Sequence, residues 1–138
     1  MRIFLDTNVL ASGLSTRGLC AELPEGIIAN HELLTCETVL QELQRVLADK
    51  FRLPKTQVRD YLSLLRAEAQ VVKAGPTPRL QFEDPDDLPI LACVIAAKAD
   101  LFITGDKALL ELGKIEETPI LSPRQLWQKL TGLTGLTR

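Results

Sequence analysis

Aromatic residues are scarce, at 4% of the 138 residues, so any core must be aliphatic. Histidine occurs once, as His31, and one imidazole does not make a zinc set. His31 instead reads as a surface residue at the entry to a strand. The three cysteines, Cys20, Cys36 and Cys93, form no CxxC pair. They sit among apolar neighbours and read as reduced core thiols of a cytoplasmic protein. A net charge of -2 excludes a broad basic surface but leaves room for a local basic patch. The longest apolar run, residues 88–97, contains Pro89 and is too short to span a membrane. The chain opens directly on a strand pattern, with no signal-peptide pattern ahead of it. Repeats, low-complexity tracts and internal linkers are lacking too.

What is present is a hydrophobic fraction of 46%, enough for one buried core in one domain. Residues 83–112, EDPDDLPILACVIAAKADLFITGDKALLEL, organise the rest. Asp84, Asp86 and Asp87 precede a helix that is apolar nearly all round, and such a helix belongs inside. Leu101-Phe102-Ile103-Thr104 is too short for a helix and suits a buried strand. It ends in Gly105-Asp106, and a new helix starts near Lys107. The amino terminus repeats this layout: Arg2-Ile3-Phe4-Leu5 is a strand, Asp6 stands at its end, and a helix follows over 9–14. Ligands bind outside the carboxyl ends of strands in open α/β sheets, and Asp6 and Asp106 fall at such ends.

The remaining elements alternate. Helices are expected over 19–30 (despite Pro24 and Gly26), 37–50, 54–70, 108–112 and 123–130. Strands are expected over 33–36, 71–72 and 119–121. Ser122 and Pro123 form a helix start. The expected fold is a three-layer α/β/α sandwich around a central parallel sheet, with strands 2–5 and 101–104 adjacent. Residues 1–130 form the domain and 131–138 a flexible tail.

Four acids stand out: Asp6, Glu42, Asp87 and Asp106. Singly, each has an ordinary explanation. Asp6, Asp87 and Asp106 could each cap a helix, and Glu42 could be a solvated residue at the border of its helix's apolar stripe. Jointly they gather at one sheet edge, where like charges would repel unless a cation sat among them. All-oxygen ligands suit Mg2+ or Mn2+. Asn8 and Thr104, beside two of these acids, could orient a carboxylate or bond a metal water, or simply fill a turn and a strand.

At this point the sequence resembles the PIN domain (PilT amino-terminal type), the fold of VapC-like toxins. The resemblance rests on IFLDTNVLAS, TVLQELQRVLADKF and the 83–112 stretch, in that order, and continues to ILSPRQLW. It implies catalytic and metal-binding roles for Asp6, Glu42, Asp87 and Asp106. It also implies metal-dependent hydrolysis of RNA phosphodiester bonds, as the toxin of a type II toxin–antitoxin pair, with a cognate antitoxin and a homodimer as the partners to expect. Arg17, Lys50, Arg52, Lys55 and Lys107 are the cations offered to RNA, each otherwise a solvated surface charge. Phe51 and Leu53 would leave apolar surface for a partner. One alternative is a catalytically silent PIN-like binding module. A second is a Mg-dependent phosphotransfer domain, but Asn8 stands where a dehalogenase would carry its second acid.

Overall fold

Short apolar strands flanked by helices can be buried on both faces only inside a sheet, and the first strand shows this directly. The structure, a computed structural model, describes residues 1–15, 19–76 and 88–131, without the side chains of residues 15 and 19–22. Strand β1 (Arg2–Leu5) contributes Ile3, Phe4 and Leu5, all fully buried. It pairs in parallel with β2 (Glu32–Cys36) on one side and with β4 (Leu101–Ile103) on the other. Strand β3 (Gln70–Val72) is parallel to β2 and β6 (Thr118–Leu121) is parallel to β4, and with β5 (Lys114–Ile115) at the edge the order is β3-β2-β1-β4-β6-β5. The expected adjacency of the first strand and strand 101–103 is present, with Ile3 opposite Leu101 and Leu5 opposite Ile103.

The sheet is not wholly parallel. Strand β5 (Lys114–Ile115) forms an antiparallel hairpin with β6 and caps that edge. It was not expected, because its turn is Glu116-Glu117 in place of the usual Asn or Gly, and Glu116 takes a left-handed backbone at φ 51°. Lys114-Ile115 is also too short to show alternation.

Seven helices connect the strands among the described residues: α1 (Thr7–Ser15), α2 (Leu19–Asn30), α3 (Glu37–Arg45), α4 (Lys55–Glu68), α5 (Leu88–Ala97), α6 (Lys107–Leu112) and α7 (Pro123–Thr131). Helix α5 packs on β2, β3 and α3, while α1 packs on α2 and α3. The expected single helix over 37–50 divides. After Arg45 the chain widens into a π turn, Val46–Lys50, closed by Phe51 N–H donating to the Val46 carbonyl at 3.1 Å. Arg52 then adopts a left-handed φ of 53° and redirects the chain into α4. Phe51 and Leu53 pack against the core at this corner, so they are not the open apolar surface expected of them. The exposed large hydrophobic side chains among the described residues are Met1, Leu64, Leu112 and Trp127.

Local chemistry ends the helices where the sequence allows it. Ser122 Oγ accepts from Gln125 N–H at 3.1 Å and Gln125 Oε1 accepts from Ser122 N–H at 2.8 Å, a reciprocal capping box. Helix α7 ends at Thr131, and the rest of the expected tail lies outside the described residues. At the end of α5, Lys98 takes the left-handed conformation, and the N–H groups of Lys98 and Ala99 donate back to Ile95 and Val94.

The core centres on the Phe4–Phe102 pair of β1 and β4, whose rings meet edge to face at 5.8 Å and 74°. Both rings are fully buried in otherwise aliphatic surroundings. Phe102→Ala should therefore cost about 3–5 kcal/mol through lost burial and a cavity beside β1. Urea denaturation of the two proteins measures this, and a cost below about 1 kcal/mol would mean the pair is not central to the core.

Candidate active site

The parallel pairing of β1 and β4 carries their chains to the same edge of the sheet. Asp6 follows β1, and its N–H donates to the Ile103 carbonyl at 2.9 Å, extending the ladder by one step. Its carbonyl accepts from Val9 and Leu10 N–H, which starts α1. The Asp6 side chain is only 6% exposed. Its Oδ1 accepts from the N–H of Thr7 at 2.8 Å, short of the N2 or N3 position that an N-cap side chain usually serves. Its Oδ2 accepts from the Thr104 hydroxyl at 2.6 Å, across the β1–β4 junction.

Thr104 joins two acids. Fully buried at the end of β4, it donates to Asp6 while its Oγ1 accepts from Asp106 N–H at 3.0 Å. Asp106 is half-buried and caps α6, its Oδ1 accepting from Ala108 and Leu109 N–H. The ordinary explanation for Asp106 is thus realised, and it occupies one carboxylate oxygen. Glu42 is half-buried on α3, between buried Val39 and Leu43. Its charge acts on Asp6 and raises the Asp6 pKa.

Electrostatics ties these groups together. Burial pushes the Asp6 carboxyl above its ordinary value. The hydrogen bonds from Thr104 and Thr7 oppose the shift, and the nearby charges of Glu42 and Asp106 add to it. The carboxylates sense one another, yet no three His, Cys, Asp or Glu side chains among the described residues converge into a finished metal cage. Asp87 lies outside the described residues, with Asp84, Asp86 and Arg17. The donors present are all oxygen, the type a hard divalent cation takes, and their negative charge has no cationic partner among the contacts described for them. The Thr7 hydroxyl beside Asp6 is buried without a hydrogen-bond partner. Nothing in the sequence singled out Thr7 except its place next to a strand-end aspartate.

The other candidates are less engaged. Asn8 is exposed on the first turn of α1. Lys50, Arg52 and Lys55 are exposed around the π turn, with Lys50 Nζ 5.8 Å from the Phe51 ring centre. Lys107 is exposed at the start of α6, next to Asp106. His31 stands at the opposite end of β1, its Nδ1 3.0 Å from the amino terminus.

Residues 2–108 match the family model described as PIN domain. No curated protein matches the chain. Among solved structures, the crystal structure of VapBC2 from Rickettsia felis, bound to a DNA fragment from their promoter, is similar with a TM-score of 0.64. The similarity covers 88% of this chain and 98% of that one at 16% identity, which carries the fold.

The raised Asp6 pKa has a consequence for stability. Between the ordinary aspartate value of 3.8 and the raised one, the native state binds more protons than the unfolded state. Stability therefore falls as pH rises through that window. Asp6→Asn removes this slope, so without divalent metal the variant should melt above wild type at neutral pH. The gap should narrow as the buffer is acidified through the window. Thermal melts across pH check this, and a variant that melts lower at neutral pH would contradict the charge argument.

Proposed function

The chain belongs to the PIN-domain family, and on that premise we propose that it is a metal-dependent endoribonuclease, the toxin of a type II toxin–antitoxin pair. The observation that carries this reading is the hydrogen-bonded path from Asp6 through Thr104 to Asp106, with the charge of Glu42 acting on Asp6. Asp6, Glu42 and Asp106, joined by Asp87, would hold Mg2+ or Mn2+. Such an ion, when bound, supplies positive charge at the scissile phosphate and lowers the pKa of water for attack on phosphorus.

The chain's own residues supply position. Thr104 fixes one Asp6 oxygen and the Asp106 backbone at once, so the two carboxylates keep a set relation. Burial of Asp6 keeps its carboxylate poorly hydrated, which raises its attraction for a cation over that of an exposed aspartate. Glu42 on α3, whose charge acts on Asp6, is proposed as a third anionic group of the same site. No serine or cysteine nucleophile is required. Arg17, Lys50, Arg52 and Lys107 are proposed as phosphate contacts, Lys107 foremost because it adjoins Asp106.

The likeness to a VapBC2 assembly supports a cognate antitoxin as partner. A homodimer is proposed from the family resemblance alone. Among the described residues no helix is long and apolar enough to cross a membrane, and the proposed setting is the cytoplasm.

Cleavage of purified RNA should require Mg2+ or Mn2+ and stop on addition of EDTA. Asp6→Asn should abolish it, because Asn keeps the shape and loses the charge. Thr104→Val should reduce it by about 10–100-fold, the usual scale for a residue that orients a metal ligand. Equal cleavage by wild type and Asp6→Asn would defeat the site assignment. A wild type that neither binds Mn2+ nor cleaves RNA would favour the silent binding module. Lys107→Ala should weaken RNA binding and flatten its salt dependence, measured by titration at several salt concentrations.

A further inference from the structure

The acid site leaves a concentration of positive charge on this chain unexplained. Residues 44–66 hold six cations and two acids, in a chain whose net charge is -2. They fold into the end of α3, the π turn and α4, and a groove of about 660 Å3 runs between these elements. None of Asp6, Glu42 and Asp106 lines it. Gln44, which does, comes two residues after Glu42 and so stands about 200° around α3 from it.

The polar residues of the groove are all of one kind. Lys55, Arg59 and Arg66 are cations, and Gln44, Thr56 and Ser63 offer amide or hydroxyl donors. All six are exposed, and no carboxylate among the described residues lines the groove. Lys55, Arg59, Ser63 and Arg66 recur at helical spacing along one face of α4, a row about 16 Å long. The charge is only lightly used. Lys55 has no ion pair among the described residues. Arg59 meets only its chain neighbour Asp60, at 3.8 Å, with side chains 72% and 78% exposed, and such a pair is worth little. Arg66 alone is committed, donating to both Glu37 oxygens.

We propose that this groove holds the phosphate backbone of single-stranded RNA, at a site separate from the carboxylates. Arg, Lys, Ser, Thr and Gln side chains are the ones that meet phosphate oxygens and sugars. A single row of cations along one helix suits one strand. No aromatic side chain among the described residues lines the groove, so bases have nothing to stack on and binding is indifferent to sequence. The competing occupant is an acidic peptide. A helix docked there needs apolar anchor sites, and the groove offers only Ala48, Leu62 and the buried Val58. Lys50 and Arg52, exposed just before α4, extend the positive charge. The choice of RNA rests on the nuclease reading; the affinity for a phosphate chain does not.

The test is binding of labelled oligouridylate to the full chain in EDTA, where no metal-dependent cleavage interferes, by fluorescence anisotropy at several salt concentrations. Lys55→Gln/Arg59→Gln should bind about tenfold more weakly, the scale of a lost hydrogen bond to a charged group. Its plot of log affinity against log salt should be shallower by about 1.4, two contacts at about 0.7 each. Gln57→Glu/Leu64→Glu makes the same change in net charge on the opposite face of α4 and should bind like wild type. All four positions are exposed, and thermal melts check that both variants fold. Equal binding by wild type and Lys55→Gln/Arg59→Gln, equal losses in both double variants, or no binding by wild type would overturn the proposal. So would capture of polyglutamate in place of oligouridylate, which would give the groove to an acidic polypeptide. Cleavage is read separately in Mn2+: RNA that stays intact while the groove still binds it counts against the nuclease reading and not against this site.

Discussion

The parallel pairing of β1 with β4 fixes almost everything else in this molecule. Two strands far apart in sequence lie side by side because each is an apolar run buried on both faces, with Phe4 packed against Phe102. Parallel direction means that both leave the sheet at the same edge. The residues that follow, Asp6 after one strand and Thr104 to Asp106 after the other, are then obliged to meet. An antiparallel pairing of the same strands would have sent them to opposite edges.

What meets there is costly for the fold. A buried carboxylate is poorly solvated, and neighbouring acids make it worse. The structure offsets part of this with directed hydrogen bonds: both Asp6 oxygens accept from threonine groups, and Asp106 takes two backbone N–H groups at the start of α6. The remainder is uncompensated negative charge at a strand edge, the usual compromise between stability and the ability to bind something positive. Thr104 matters more than its size suggests, since one hydroxyl serves two elements and two acids.

Helix α3 is the second organising device. Its start carries Cys36, next to α5, and its middle carries Glu42, whose charge acts on Asp6. The π turn and the left-handed Arg52 then set the corner from which α4 returns to β3. Contacts at the other sheet edge are of a different kind. Arg2 there bonds Glu32, Gln70 and the Ala97 carbonyl, and fastens β1, β2, β3 and α5 together. The Arg2–Glu32 ion pair is partly exposed and adds little energy by itself. Its value lies in register.

The sequence alone determined the alternation of strands and helices, because burial on both faces leaves continuous apolar runs and a one-sided helix leaves a 3.6-residue stripe. It therefore placed β1, β4, α2 and α7 closely and set Asp6 and Asp106 at strand ends. Glu42 was visible only as an acid at the border of a stripe, and that its charge reaches Asp6 follows from how α3 packs. The π turn and the β5–β6 hairpin had no local signature: widening a helix depends on what it packs against, and a Glu-Glu turn borrows its left-handed residue from the surrounding strands. The Thr104 bridge joins residues by contacts through space. No periodicity records such contacts, so only the tertiary structure decided them.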